Sequence, residues 1–440
     1  PIADLQVGKD NNDTKTFNNT RGVTVQGGLG KKLNFSTSFY ESQGRFADYV
    51  NSYANYIRPD GGDPAIIPGR GIAKEFRTDA YDYPVAEAYL SYTPNNTFSF
   101  QFGKGRNFIG DGYRSLVLSD VASPYPYFRI DTRFWKIKYT NMWMWMQDVR
   151  PELTEDGAFR QKYMAIHYLS WNVSKRINLG FFETVIWDDA NDRGFDINYL
   201  NPLIFYTATE FSTGTRAGNA LLGLTFKYKL KKASLYSQLL IDEFRGSEMT
   251  SSDGWWANKF GYQLGIKYHD AFNVDNLFLQ AEYNAVRPYT YSHDELNYNF
   301  GHNNQPLAHL WGSNFREFIL RLNYKKERWF YNASLVMGKK GFDYFNTTDT
   351  NSYGGNVFMD NDLRASDYGN EIAQGNKADI VIADLQMGYL LNPATNLKLF
   401  AGITFRNFDA TAPTGVFDNT NTTWFSVGLK TDVFNWYFDF

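Results

Sequence analysis

The chain has no cysteine, so disulfides and thiolate metal sites are excluded together. No stretch approaches the roughly 18 consecutive apolar residues of a membrane helix. Helix-period segments rich in Ala and Leu are almost missing, although a soluble enzyme of 440 residues would carry them in two or three domains. Charge of either sign is scarce: 21% of residues are charged and the net charge is −3. A nucleic-acid partner would want a basic patch and is excluded. No internal repeat, no low-complexity tract and no separate soluble domain is visible.

Aromatic residues are abundant instead, with 31 Tyr, 37 Phe and 11 Trp making 18% of the chain. They fall into period-2 alternation that recurs from end to end. Phe98, Phe100 and Phe102 point one way, with Ser99 and Gln101 opposite. Trp135, Ile137, Tyr139, Trp143 and Trp145 oppose Lys136, Lys138 and Thr140. Phe260, Tyr262, Leu264, Ile266 and Tyr268 oppose Gly261, Gln263, Gly265, Lys267 and His269. Phe318, Leu320, Leu322 and Tyr324 oppose Ile319, Arg321 and Asn323, and the pattern returns over Leu397–Arg406. Strands of about ten residues suit a tilted membrane crossing better than a soluble sandwich. The apolar faces then meet lipid, Tyr and Trp form interfacial girdles, and the polar faces line a hydrated lumen. A mean hydropathy of −0.47 is compatible with this, because only alternate residues face lipid.

The connections sort by length. Short polar turns at 30–32, 94–96, 173–175, 229–232, 273–275, 325–328 and 392–395 alternate with long connections. The long ones fall at 42–84, 148–157, 188–218, 246–258, 287–313, 339–377 and 409–421. Short periplasmic turns and long surface loops are the outer-membrane pattern. We therefore expect one domain over residues 1–440, an all-β transmembrane antiparallel barrel with a periplasmic C-terminus. Two outward strands, one ending near Gly103 and one over Phe134–Met146, require residues 104–133 to return inward between them. That return is a strand near Tyr125–Arg133 or a segment folded through the lumen, and Pro1–Gly8 raises the same question. The count is about 18 strands if both are strands and about 16 if both are lumenal; 18 is favoured. The chain begins at Pro1 without a signal peptide and is read as a mature portion. No large plug precedes the first strand, which argues against a TonB-dependent transporter. The ending Trp436-Tyr437-Phe438-Asp439-Phe440 reads as an aromatic terminal strand carrying a barrel-insertion signal.

Reactive chemistry is sparse. Gly103-x-Gly105-x-x-x-x-Gly110 lacks the Gly-Lys-Ser/Thr and the helix of a phosphate loop; its glycines let the backbone turn into the lumen. Asp188, Asp189, Asn191 and Asp192 ahead of Gly194, and Asp360-Asn361-Asp362, hint at calcium without EF-hand spacing; solvated turns fit them better. His167, His269, His293, His302 and His309 permit a hydrolase site, but no nucleophile motif frames any Ser. We expect no enzyme, cofactor or metal. Asp242, Glu243, Glu282, Arg287 and Arg321 fall on or near strand ends facing the lumen. There they must pair or be hydrated, as a stiffening polar network or a selective lining. Tyr199, Trp255, Trp256, Tyr289, Tyr291 and Trp311 fall in or beside long loops and offer ring faces for sugars.

Several segments carry a family resemblance. They are Asn19-Thr20-Arg21-Gly22, the run Phe102–Leu116 with its Gly110-Asp111-Gly112-Tyr113-Arg114-Ser115-Leu116, Leu118-Ser119-Asp120, Tyr199-Leu200-Asn201-Pro202, and Val286–Tyr291. Together they resemble Bacteroidota outer-membrane proteins grouped with the Wzi capsule-assembly family, some of them labelled RemB-like gliding proteins. The resemblance runs from about Asn19 to Phe440. It adds Asp111, Arg114, Ser119 and Asp120 to the expected lumen network. Wzi members are 18-stranded barrels that act as surface lectins for capsular polysaccharide. The chain departs from the enterobacterial members in lacking their N-terminal helical part and in its loops. The resemblance implies a non-enzymatic barrel that binds or anchors surface polysaccharide among outer-membrane lipid and lipopolysaccharide. An accessory subunit of an outer-membrane machine for secretion, gliding or barrel assembly, docked on other outer-membrane proteins, is a second reading. A small-solute porin is a third.

Overall fold

The computed structural model describes residues 1–154, 156–189, 194–202, 218–243, 253–345, 348–432 and 434–440. Alternation sets the architecture. Strands whose two faces differ in polarity gain most by forming a closed wall, which leaves no unpaired edge. The first six strands are β1 (Ile2–Asp10), β2 (Lys15–Leu29), β3 (Leu33–Arg45), β4 (Val85–Tyr92), β5 (Phe98–Gly105) and β6 (Tyr125–Phe134). The next six are β7 (Ile137–Asp148), β8 (Arg160–Trp171), β9 (Ile177–Asp188), β10 (Asn219–Lys229), β11 (Ala233–Glu243) and β12 (Lys259–His269). The last six are β13 (Leu277–Val286), β14 (Phe315–Lys326), β15 (Trp329–Phe342), β16 (Asn376–Asn392), β17 (Leu397–Ala410) and β18 (Thr420–Lys430). Each pairs antiparallel with its neighbours, and β1 closes the 18-strand barrel by pairing with β18, Val7 opposite Val427. Both uncertain segments, 2–10 and 125–134, are therefore strands.

The outer wall is apolar where expected. Phe102, Leu264, Leu320, Leu385, Leu399 and Phe425 are exposed on it. Phe134, Trp135, Trp329 and Tyr92 cluster near the short-turn end as an aromatic girdle. Among the described residues no helix is long and apolar enough to cross a membrane.

An 18-stranded barrel left empty would enclose a water channel. Here the chain fills much of it. The connection 46–84, with helix α1 (Asp48–Tyr56), turns inward, as do 106–124 and 287–314. Leu116, Val117 and Leu118 pack inside against Met142, Met144 and Met164 of the wall. Gly223 makes room there, because a Cβ would lie 2.7 Å from Val117. The lumen is thus partly apolar, not polar and hydrated throughout. The inward face of β7 beyond Thr140 carries methionines because protein covers it.

The chain's end departs from expectation most. Trp436–Phe440 is not a strand; the wall ends with β18 at Lys430. Residues 434–440 climb back through the lumen from the short-turn end. Trp436 Nε1 donates to Asp4 at 2.9 Å, Phe438 packs on Phe46, and Phe440 stacks on Phe417. Phe440 is buried, so this segment lies inside the barrel wall. Its rings find more apolar surface inside than a free terminal strand would.

Candidate functional site

A charged layer crosses the middle of the lumen. Gly112 lets the chain approach the wall closely: a Cβ there would lie 2.7 Å from Glu282 Oε2. The next two peptide N–H groups, of Tyr113 and Arg114, then donate to the Glu282 carboxylate at 2.7 and 3.0 Å. The glycine-rich segment thus cradles an anion, and that anion is the protein's own. The Arg114 guanidinium, fully buried, reaches Glu317 at 3.1 Å and Asp439 at 2.9 Å. His309 Nε2 bonds the other Glu317 oxygen at 2.7 Å. Arg321 lies 4.2 Å over the Tyr113 ring.

The other expected network residues separate into pairs. Asp111 pairs with Lys227, and Asp120 accepts from the Tyr437 hydroxyl at 2.8 Å. Ser119 ties its peptide N–H to Leu307 O at 2.8 Å. Asp242 accepts from Tyr291 N at 2.7 Å, and Glu243 pairs with Lys259 at 3.1 Å near the surface. Arg287 holds loop carbonyls of Asn258, Trp255 and Asn370. Glu317, His309 and Asp439 were not expected in this network, although His309 was noted as one of five histidines that permit a hydrolase site. Glu317 is one alternation step before Ile319, on the same inward face, so extending that strand would have found it.

The six loop aromatics do not form one binding surface. Tyr289, Tyr291 and Trp311 are buried, Tyr289 and Tyr291 donating their hydroxyls to Ser352 O and Leu116 O. Trp255 and Trp256 are half-buried against each other. Tyr199 lies on the outer wall. Asn141, His167 and Glu183 share register and face outward on the parity of exposed Leu179, yet all three are buried. Residues 194–202 strap over them: Asn201 O lies 3.0 Å from His167 Nε2, and Trp143 Nε1 donates to Tyr199 O at 2.8 Å. The strap keeps polar groups from facing hydrocarbon. Trp143→Phe deletes one buried donor and should weaken the strap by about 0.5–1.5 kcal/mol. Limited proteolysis in detergent should then cut within 194–202 several times faster; an unchanged rate sinks the idea. Of the calcium candidates, Asn191 and Asp192 lie outside the described residues. Asp362 pairs with Arg364 at 2.9 Å, and no metal-binding group of acids and histidines occurs among the described residues.

Two cavities flank the charged layer. The one at the long-connection end is a vestibule of about 1080 Å³. Tyr53, Tyr56, Phe345, Phe358 and Phe417 supply ring faces, and Phe440 lies at its base. Tyr53 and Phe440 meet at 4.4 Å between centroids. Asp343 accepts from Tyr353 N at 2.6 Å, and Asp349 from the Tyr353 hydroxyl at 2.7 Å. Burial pushes the Asp343 carboxyl up, whereas the Asn351 N–H and Tyr353 hydroxyl hold half-buried Asp349 below the ordinary range. The second cavity, about 410 Å³, lies toward the short-turn end between the wall and residues 434–439. Tyr49, Phe438 and Asp439 form its inner end.

A family model described as capsule assembly protein Wzi matches residues 9–402. The chain belongs to the Wzi capsule-assembly family. Among solved structures it is similar to Wzi of Escherichia coli, described as an outer membrane protein involved in group 1 capsule assembly and a carbohydrate-binding β-barrel. The identity is 13%, the coverage 97% of this chain and 84% of that one, and the TM-score 0.55. OpdK of Pseudomonas aeruginosa, solved with vanillate, matches at 9% identity, 96% and 95% coverage and TM-score 0.49. OprD of the same organism matches at 10% identity, 96% and 92% coverage and TM-score 0.47. No curated protein sequence matches. An apolar outer belt on a closed 18-strand wall, in this family, makes the chain an outer-membrane barrel.

Proposed function

We propose that the protein is a non-enzymatic barrel that binds surface polysaccharide in the vestibule, with its long connections facing out of the cell. The vestibule carries this reading. It joins ring faces, which stack on sugars, to carboxylates and amides, which accept sugar hydroxyls, at the end where the connections are long. E. coli Wzi binds carbohydrate, which supports the same assignment here. The wall sits in lipid and lipopolysaccharide. Rings and the charged layer lie between the two cavities, which favours holding a chain over passing solutes.

The test is binding of polysaccharide extracted from the producing cells to the detergent-purified protein. Tyr56 and Phe345 are exposed at the vestibule, so Tyr56→Ala and Phe345→Ala should leave folding intact. Each should weaken binding about tenfold, or ~1.4 kcal/mol. Wild-type affinity in both variants removes the vestibule from consideration.

A further inference from the structure

We infer that residues 438–440 are the closed gate of a water path through the barrel, running along the wall of β14–β18 and β1. The match between wall and filling differs around the lumen. Where 106–124 lies, the wall suits it: Leu116, Val117 and Leu118 meet Met142, Met144 and Met164. Where 434–440 lies, apolar rings stand before a wall that stays polar. Asn323, Asn332, Ser334, Asp384, Gln386 and Thr404 line the cavity of about 410 Å³ between them. These wall side chains bond one another. Asn323 Nδ2 donates to Asn332 Oδ1 at 2.7 Å, Thr404 Oγ1 to Asp384 at 2.8 Å and Lys430 Nζ to Gln386 Oε1 at 2.6 Å. A polar lining with room beside it holds water, and apolar rings gain little by resting on it. The segment is held instead from the inner connections. The Tyr437 hydroxyl donates to Asp120 at 2.8 Å, Arg114 pairs with Asp439 at 2.9 Å, and Arg70 donates to Asn435 O at 2.7 Å.

The cavity along this wall ends at Tyr49, Phe438 and Asp439. Phe440 lies just beyond, at the base of the vestibule. Its ring stands 5.8 Å from that of Tyr49 and 4.4 Å from that of Tyr53, between centroids. The Tyr49 hydroxyl donates to Phe438 O at 2.9 Å, which fixes the constriction. One layer of rings thus parts the two cavities. An apolar constriction of this kind excludes water and closes a pore by dewetting. With the rings withdrawn, a polar path inside an 18-strand wall becomes a channel.

Ion current through the detergent-purified full-length protein in planar bilayers tests the gate. Wild type should pass almost none. Phe438→Ala with Phe440→Ala removes two rings of the constriction and should raise the current per inserted barrel at least about tenfold. Phe440→Ala alone disturbs the packing less and should raise it severalfold. Heat-modifiable electrophoretic mobility shows that each variant is folded. The chain has no cysteine, so Ser334→Cys in the opened variant offers a bulky thiol reagent a single site on the path. Its reaction should cut the current by more than about half. Folded variants as closed as wild type, or a wild type that already conducts as they do, overturn the gate. Current that the reagent leaves unchanged puts the path elsewhere and overturns the route along this wall.

Discussion

Arg114→Met should destabilise the barrel by about 3–5 kcal/mol, the usual cost of stripping one partner from a buried ion pair. The guanidinium touches three separate parts of the chain. It stands on the 106–124 segment, bonds Glu317 of β14 at 3.1 Å, and holds Asp439 at 2.9 Å. Neither the Arg114 nor the Glu317 side chain has any exposure, so water cannot compensate. Its loss leaves Glu317 to His309 and Asn284, and Asp439 to the Tyr113 hydroxyl. Arg114→Lys keeps the charge but loses the fork that serves two carboxylates at once, so it should recover only part of the loss. Replacing Arg114, Glu317 and Asp439 together by apolar residues of similar volume should recover most of it, since no buried charge is then stranded. The readout is the temperature at which the detergent-purified protein loses its heat-modifiable electrophoretic mobility. A wild-type midpoint for Arg114→Met would show that the layer contributes nothing to stability.

The wall was legible in the sequence and most of its filling was not, for a physical reason. Alternation reports that a strand has two different surroundings. It does not say what those surroundings are. Leu264 and Gln263 were assigned to the correct faces because lipid and lumen differ in polarity. Trp143 was assigned to the correct face but not to its surroundings, because loop covers the outer face of β7 there, and Met142 and Met144, given no face beforehand, meet protein on the inner one. Asn141, the polar residue in the outward series from Tyr139 to Trp145, marked the strap and passed without notice. Trp436, Phe438 and Phe440 alternate as a strand does, yet they pack on Phe46, Tyr53 and Phe417 inside the barrel. Long-range hydrogen bonds settle such segments, and these have no local periodicity. Glycine spacing did mark one of them: the bend at Gly110 and the close approach at Gly112 are where the chain turns onto Glu282. The vestibule drew on loops distant in sequence, 53–64, 340–345, 349–359 and 414–417, so of its rings only Trp311 was singled out beforehand as a binding surface, and Trp311 is mostly buried there.

The lumenal connection 287–314 should also make the protein acid-sensitive well above the carboxylate range. His302 sits in the connection 287–314, fully inside the barrel, with its ring edge-on to Tyr125. Its Nδ1 accepts from Gln147 N at 3.2 Å. Burial, reinforced by the nearby Lys162 and Lys104 cations, pushes its pKa down to about 3. An unfolded histidine titrates near 6.5, roughly, so the released chain binds a proton that the folded one refuses. Stability is therefore full above about pH 6.5 and falls steadily as the pH drops toward 3, where the folded form begins to protonate too. At pH 5 the loss from this one ring is about 2 kcal/mol. Burial lowers His309 as well, against the pull of Glu317, so it adds slope of the same sign. The melting midpoint should drop between pH 7 and pH 5 in wild type. His302→Gln has no titrating ring and should lose most of that drop, even if its midpoint at pH 7 is lower. If the two proteins show the same pH dependence, the ring is protonated in the folded barrel and the connection 287–314 admits water.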